Sequence, residues 1–279
     1  DGFIGAFYQQ AWHIIKHDMM AIMMKLYVGD GRGFDKLNRA HIVLIPKRPD
    51  AEVVGDFRPI SLTHSVAKLF AKMPALKARK MMKEVVAANQ SAFIQGRNLH
   101  DNFLLVRQVA RKIHDRKEPG AFLKLDISRA FDSLSWPFLF EVLKAKGFGQ
   151  KWLDWMAALL QTASTNVVVN GAPGRKIIHA AGLRQGDPIS PYLFLLAAEG
   201  LTCLLKTQDE SSHLSGIRVA ASAPPVSHLL FADDSLLFVK ASSEGAMELS
   251  SLMESYCNAS GQRINLSKSS VFFSKGCPN

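Results

Sequence analysis

Apolar residues recur along this chain with two different periods. Helix-like spacing dominates the first third. Beyond the basic run 107–117 and the Pro119-Gly120 break, residues 121–127 set Leu123, Leu125 and Ile127 against Phe122, Lys124 and Asp126. That is the period of a strand, with Asp126 at its end. Ser135, Trp136 and Pro137 then open a helix that Gly147 closes, Ser serving as N-cap and Pro fitting the first turn. A second helix follows through Trp152, Met156 and Leu159. Two β-prone runs, 165–169 and 175–180, flank the turn-rich NGAPG of 170–174 and predict a hairpin.

The stretch GLRQGDPISP, 182–191, is too rich in Gly and Pro for a regular element and ends in a Ser-Pro helix start. Leu193, Leu196, Ala197, Gly200, Leu201, Leu204 and Leu205 then recur at helical spacing, one apolar stripe against a sheet. Residues 226–240 read as an apolar run, Asp233-Asp234, and a second apolar run, a hairpin with two carboxylates at its tip. A last helix through Leu249, Met253, Tyr256 and Cys257 stops at Gly261, and 264–273 reads as extended. Helices and hairpins in this order predict an α+β fold whose antiparallel sheet is covered by helices on one face. With no internal repeat and no Ser/Gly linker, any two lobes share a boundary.

Composition narrows the class. Hydrophobic residues make up 48% of the 279 and charged residues 21%, a globular mixture able to bury a core. The longest apolar stretch, 192–205, is interrupted by Glu199 and falls short of a membrane span, so a soluble protein without a membrane partner is expected. Three widely spaced cysteines support neither a disulfide framework nor a zinc ribbon, and an intracellular, reducing compartment follows. The chain begins with Asp1 and carries no signal pattern, so it reads as a fragment of a longer protein. Charge is unevenly spread. Residues 36–124 carry 18 Lys and Arg against 7 Asp and Glu, while the remainder carries 16 against 17. A surplus confined to one third of the chain suits a polyanion such as a nucleic-acid backbone, and equally suits a generally basic surface.

The acids carry the candidate chemistry. Adjacent carboxylates repel and become stable when a divalent cation or several donors sit between them. Packing the two β elements side by side would bring Asp126 to the rim that holds Asp233 and Asp234. Oxygen-only ligands suit Mg²⁺, and two such ions assist phosphoryl transfer. From spacing alone, a solvated Asp-Asp hairpin turn fits as well.

Five ordered blocks go further. They are DFRPISL (56–62), QSAFIQGRNLHDN (90–102), AFLKLDISRAFDSLSW (121–136), GLRQGDPISPYLF (182–194) and FADD (231–234). Together they resemble the reverse transcriptase domain of plant LINE-type (non-LTR) retrotransposons, over about residues 40–275. The resemblance implies right-hand polymerase fingers and palm, the antiparallel palm sheet packed on helices. Residues 1–118 would be mainly fingers, and 119–279 palm with a finger-like insertion at about 148–184. It implies RNA-templated DNA synthesis from a DNA primer and a deoxynucleoside triphosphate (dNTP), with Asp126 and Asp233 holding two Mg²⁺ ions and Asp234 supporting them. Phe131 resembles the aromatic residue that underlies the deoxyribose. Gln185 and Gly186 resemble the loop that meets the incoming nucleotide and template. Lys47, in LIPK, and Arg58 resemble finger residues that reach the triphosphate. Lys268, in INLSKS (264–269), resembles a lysine placed to protonate departing pyrophosphate. The thumb and endonuclease regions of the same polyprotein would lie outside the chain, and action in the nucleus would accompany integration.

The resemblance leaves two rivals. One is a non-catalytic RNA-binding remnant, suggested by Pro74 within the helix expected over 66–86, where an interior Pro costs ~3 kcal/mol and kinks the helix. The other is a group II intron-type maturase; FRPISL, GRNLHDN and GLRQGDP favour the LINE type. His13 and His17 have a metal-compatible spacing but no third ligand, so they read as structural. Gly29 to Gly33 reads as a flexible connection, and Met19 to Met24 as core filler.

Overall fold

The computed structural model describes residues 3–210, 214, 216–220 and 222–277. In chain order the elements are α1 (Gly5–Gln10), α2 (Trp12–Tyr27), α3 (Phe34–Leu37), β1 (Arg39–Pro46), β2 (Phe57–Thr63), α4 (Ser65–Val85) and α5 (Leu99–Arg116). Next come β3 (Gly120–Leu125), β4 (Ile127–Ser128), α6 (Trp136–Ala145), α7 (Gln150–Gln161), β5 (Ser164–Val169), β6 (Ala172–Ile178) and α8 (Ser190–Glu210). The last are β7 (Ile217–Arg218), β8 (Pro225–Val226), β9 (His228–Phe231), β10 (Asp234–Lys240), α9 (Ser243–Ser260), β11 (Arg263–Ile264) and β12 (Ser270–Phe273). They form two compact units, Asp1–Ala78 with Gly147–Ser190, and Arg79–Lys146 with Pro191–Asn279.

The first unit is built on a four-stranded sheet in the order β2-β1-β5-β6. Strands β1 and β2 pair antiparallel, β1 and β5 parallel. Both β1 and β2 fall in the third of the chain where apolar spacing predicts helices. The unbroken run Ile42-Val43-Leu44-Ile45 carries no period to separate strand from buried helix, and its β-branched residues decide for strand. The hairpin expected after α7 is present, but its turn is only Asn170-Gly171. Both residues have positive φ, +50° and +79°, as a two-residue primed turn requires. Phe34, Phe70 and Trp155 form edge-on aromatic contacts in this unit. Of the methionines read as core filler only Met19 is fully buried, while Met20 and Met24 face solvent. His13 and His17 are exposed.

Helix α4 runs uninterrupted through Pro74. Ala67, Phe70, Ala71, Ala78 and Met82 recur on one face and are buried. Burial of that stripe outweighs the local penalty, since helix stability in proteins comes mainly from packing.

The second unit is built on the sheet β12-β3-β10-β9, antiparallel throughout. Ala121, Leu125, Leu237 and Val239 face Leu201 and Leu205 of α8 and Leu249, Leu252 and Met253 of α9. The alternate residues Phe122, Leu236 and Phe238 face Val109 and Ile113 of α5. Helices therefore cover both faces, not one. The one-face expectation came from the order of helices and hairpins, which does not show that Phe122, Leu236 and Phe238 pack on α5. Ser135 caps α6, accepting from the Phe138 N–H at 3.5 Å. Gly261 ends α9 at φ +74°, and a Cβ there would come within 2.8 Å of the Ser133 carbonyl.

Candidate active site

The acidic rim follows from strand register. The β3–β10 ladder ends at Ser235 opposite Leu125, and Asp234 and Asp126 are the residues that directly adjoin this last pair. Phe231 and Asp234 close the hairpin, leaving Ala232 and Asp233 as its two turn residues. Ala232 has φ +55°, the left-handed region that a primed hairpin turn needs and that costs a non-glycine residue roughly 1–2 kcal/mol. Asp233 and Asp234 are exposed and Asp126 is half-buried. Partial desolvation raises the Asp233 carboxyl above the usual carboxylate range, and the charges of Asp234 and Asp126 raise it further, against a backbone hydrogen bond that lowers it. Both charges that shift Asp233, those of Asp234 and Asp126, are negative. Such an all-oxygen, unneutralised set fits a hard divalent cation. Among the described residues no three acidic, histidine or cysteine side chains converge closely enough to hold an ion by themselves. Water and substrate oxygens would complete the ligand set, as Mg²⁺ ordinarily requires.

Asp126 is held through its backbone. Its N–H donates to Ser269 Oγ at 3.1 Å, and its carbonyl accepts from the Asn265 N–H at 2.8 Å. Ser269 Oγ in turn donates to the Asn265 carbonyl at 2.8 Å. Lys268 belongs to this same turn, its N–H on the Asn265 carbonyl and its side chain exposed. The INLSKS block thus clips the strand end that carries the first aspartate.

The Asp233 turn is held by a residue that sequence reasoning did not single out. Gln90 is fully buried; its Oε1 accepts from the N–H groups of Ala232 at 3.1 Å and Ala92 at 3.0 Å, and its Nε2 donates to the Ala232 carbonyl at 3.5 Å. A second glutamine acts near Phe131. Gln262 Nε2 donates to the Ala130 carbonyl at 2.9 Å, while Tyr256 donates to Gln262 Oε1 at 2.7 Å. The Phe131 ring stacks on buried Phe194 with centroids 4.4 Å apart and planes 13° apart. No period marks either glutamine. Their one sequence signal is an uncharged, hydrogen-bonding residue inside a block without helical or strand spacing.

The remaining predicted residues lie in the first unit. Arg184 and Asp187 are buried and paired at 2.8 Å, and Arg184 also donates to the Asn38 carbonyl at 3.0 Å and to Asn38 Oδ1. Burial pushes the Asp187 carboxyl above its usual range, against the pull of Arg184 and Lys68. This pair brackets Gln185 and Gly186. The Gln185 carbonyl accepts from the Ser61 N–H on β2 at 3.2 Å, so the RQGD and FRPISL blocks meet. Gly186 has φ +102°, and a Cβ there would come within 3.2 Å of the Ser61 carbonyl. Arg58 is exposed on β2 opposite Ile45. Lys47 donates its ammonium to the Gly55 carbonyl at 2.8 Å, within its own loop.

Residues 45–277 match the family model described as reverse transcriptase (RNA-dependent DNA polymerase). The chain is 30% identical over 275 residues to the transposon TX1 uncharacterized 149 kDa protein of Xenopus laevis, covering 97% of this chain and 20% of that protein. It is 28% identical over 264 residues to the retrovirus-related Pol polyprotein from the type-2 retrotransposable element R2DM of Drosophila melanogaster, covering 93% of this chain and 24% of that one. It thus spans about a fifth to a quarter of these curated relatives. Apo telomerase from Candida tropicalis superposes with a TM-score of 0.60 over 85% of this chain and 50% of that one, at 12% identity, a likeness of fold. With a family match over most of its length, the chain belongs to the reverse transcriptase (RNA-dependent DNA polymerase) family.

Proposed function

We propose that the chain is the polymerase part of a LINE-type (non-LTR) retrotransposon protein and copies RNA into DNA. A primer 3′-hydroxyl would attack the α-phosphate of a dNTP. The observation that carries this reading is the β3–β10 register, which brings Asp126 to the rim of Asp233 and Asp234. Asp126 and Asp233 would hold Mg²⁺, with Asp234 alongside. Bound there, Mg²⁺ supplies Lewis acidity and charge neutralisation at the triphosphate. Phe131, backed by Phe194, would meet a ribose 2′-hydroxyl and leave room for deoxyribose. Gln185 and Gly186, held by the Arg184–Asp187 pair, would contact the incoming nucleotide and template, with Arg58 and Lys47 serving its phosphates. Lys47 would first leave Gly55. Lys268 Nζ would give its proton to the departing pyrophosphate. Residues 1–118 would be mainly fingers, and 119–279 palm with a finger-like insertion at about 148–184.

Extension of a DNA primer on an RNA template tests this reading. Incorporation is expected with Mg²⁺, none with chelator, and none in Asp233→Asn. RNA binding with no incorporation at any Mg²⁺ concentration would favour the non-catalytic remnant.

A further inference from the structure

We propose that Gln90 is a positioning residue for the Asp233 turn, so that the 90–102 block serves as a clamp on the catalytic hairpin. The proposal rests on the metal-rim reading above. A two-residue hairpin turn leaves the peptide groups of its first turn residue without ladder partners. Gln90 supplies both, its amide spanning the N–H and carbonyl of Ala232. That is the residue with unfavourable positive φ, directly before Asp233. The turn would otherwise relax toward commoner backbone geometry and carry the Asp233 carboxylate with it.

The rest of the block fixes Gln90 in turn. The Leu230 N–H donates to the Asn89 carbonyl at 2.8 Å and the Ser91 N–H to the Leu230 carbonyl at 3.1 Å, so residues 89–91 meet the edge of β9 in a single parallel bridge at Gln90. Asn102 Nδ2 bridges Ser91 Oγ at 2.8 Å and the Leu230 carbonyl at 3.3 Å. Arg97 donates to the carbonyls of Gln90, Ala87, Val86 and Lys83, tying the segment to the end of α4. Every link to the hairpin itself is neutral. A carboxamide offers donor and acceptor at once and adds no net charge beside three carboxylates, whereas a cationic clamp would compete with the metal.

The test compares the 279-residue chain with Gln90→Ala by three readouts. They are amide hydrogen exchange of peptide 229–234, Mn²⁺ titration followed by the electron-spin signal of the free ion, and single-nucleotide primer extension. Gln90→Ala should keep a cooperative thermal transition and exchange that peptide about fivefold faster or more. It should bind Mn²⁺ about 10- to 100-fold more weakly, as loss of an outer-shell partner does, with kcat falling in step and KM for the dNTP little changed. Unchanged exchange would overturn the clamp whatever the activity. Faster exchange with undiminished Mn²⁺ affinity and kcat would leave Gln90 structural only and overturn the positioning role. If Gln90→Ala fails to fold, Asn102→Ala decides, with a smaller shift in the same direction expected and no shift overturning the proposal. A wild-type chain that extends no primer, combined with weakened Mn²⁺ binding in Gln90→Ala, would leave the clamp standing and remove the polymerase reading alone.

Discussion

Two loops of this protein are immobilised by opposite means. In the first unit the turn bearing Gln185 and Gly186 hangs on a buried ion pair, Arg184 with Asp187. In the second, the turn bearing Asp233 hangs on the carboxamide of Gln90. An ion pair is strong but brings charge with it, and Asp187 keeps one buried oxygen without a partner. A glutamine gives less energy and leaves the local potential untouched. On the proposed reading, in which the rim presents negative charge to a cation, the neutral device suits. Where the loop presents an amide and a glycine, a charged one is tolerated.

The largest expected effect separates the two devices by stability. Arg184→Ala leaves a buried carboxylate unpaired and should cost about 3–5 kcal/mol, read from the urea midpoint. A shift no larger than that of a surface substitution would mean the pair adds nothing and the contrast fails.

Acid should act on the two regions with opposite sign. His228 of β9 is buried, hydrogen-bonded to Ser227 and Thr202, and held down at about 4 by desolvation. Its folded pKa lies below the unfolded 6.5, so its contribution is complete above pH 6.5 and disappears as pH falls toward 4, about 3 kcal/mol in all. The Asp187 carboxyl is shifted upward, so its ionisation opposes folding and stability is lost as pH rises through its raised pKa. His228→Asn should flatten the acid limb of the stability profile. An unaltered limb would assign acid sensitivity elsewhere.

A second glutamine sharpens the neutral half of the comparison. Gln262→Ala strips the Ala130 carbonyl and the Tyr256 hydroxyl of their partners, with an expected loss of about 1–3 kcal/mol. It should also relax deoxyribonucleotide preference modestly, because the Phe131 backbone loosens. Phe131→Val should relax that preference more, by about 10-fold or more in the ratio of kcat/KM values. If neither variant alters the ratio, Phe131 is core packing on Phe194.

Much of the rim was legible in the chain. Alternation ending at Asp126 and an Asp-Asp break between apolar runs are local signals, and the register follows once the two runs pair. Gly261 and Ser135 mark their helix ends by local chemistry. The clamps were not legible, because Gln90 and Gln262 act on residues 142 and 132 positions away through contacts that leave no period. Nor was β1, whose continuous apolar run fits two elements. The two-face covering of the β3–β10 sheet escaped because the order of helices and hairpins does not show that Phe122, Leu236 and Phe238 pack on α5.

The proposed chemistry requires Asp126 and Asp233 to act on one cation. A double-mutant cycle in Mn²⁺ affinity tests this directly, using Asp126→Asn, Asp233→Asn and the pair. If both carboxylates hold the same ion, each single change should weaken binding by more than the about 100-fold expected for an outer partner, and the double variant should lose far less than the two losses added. Fully additive losses, or Mn²⁺ affinity untouched by either change, would contradict the shared acidic rim.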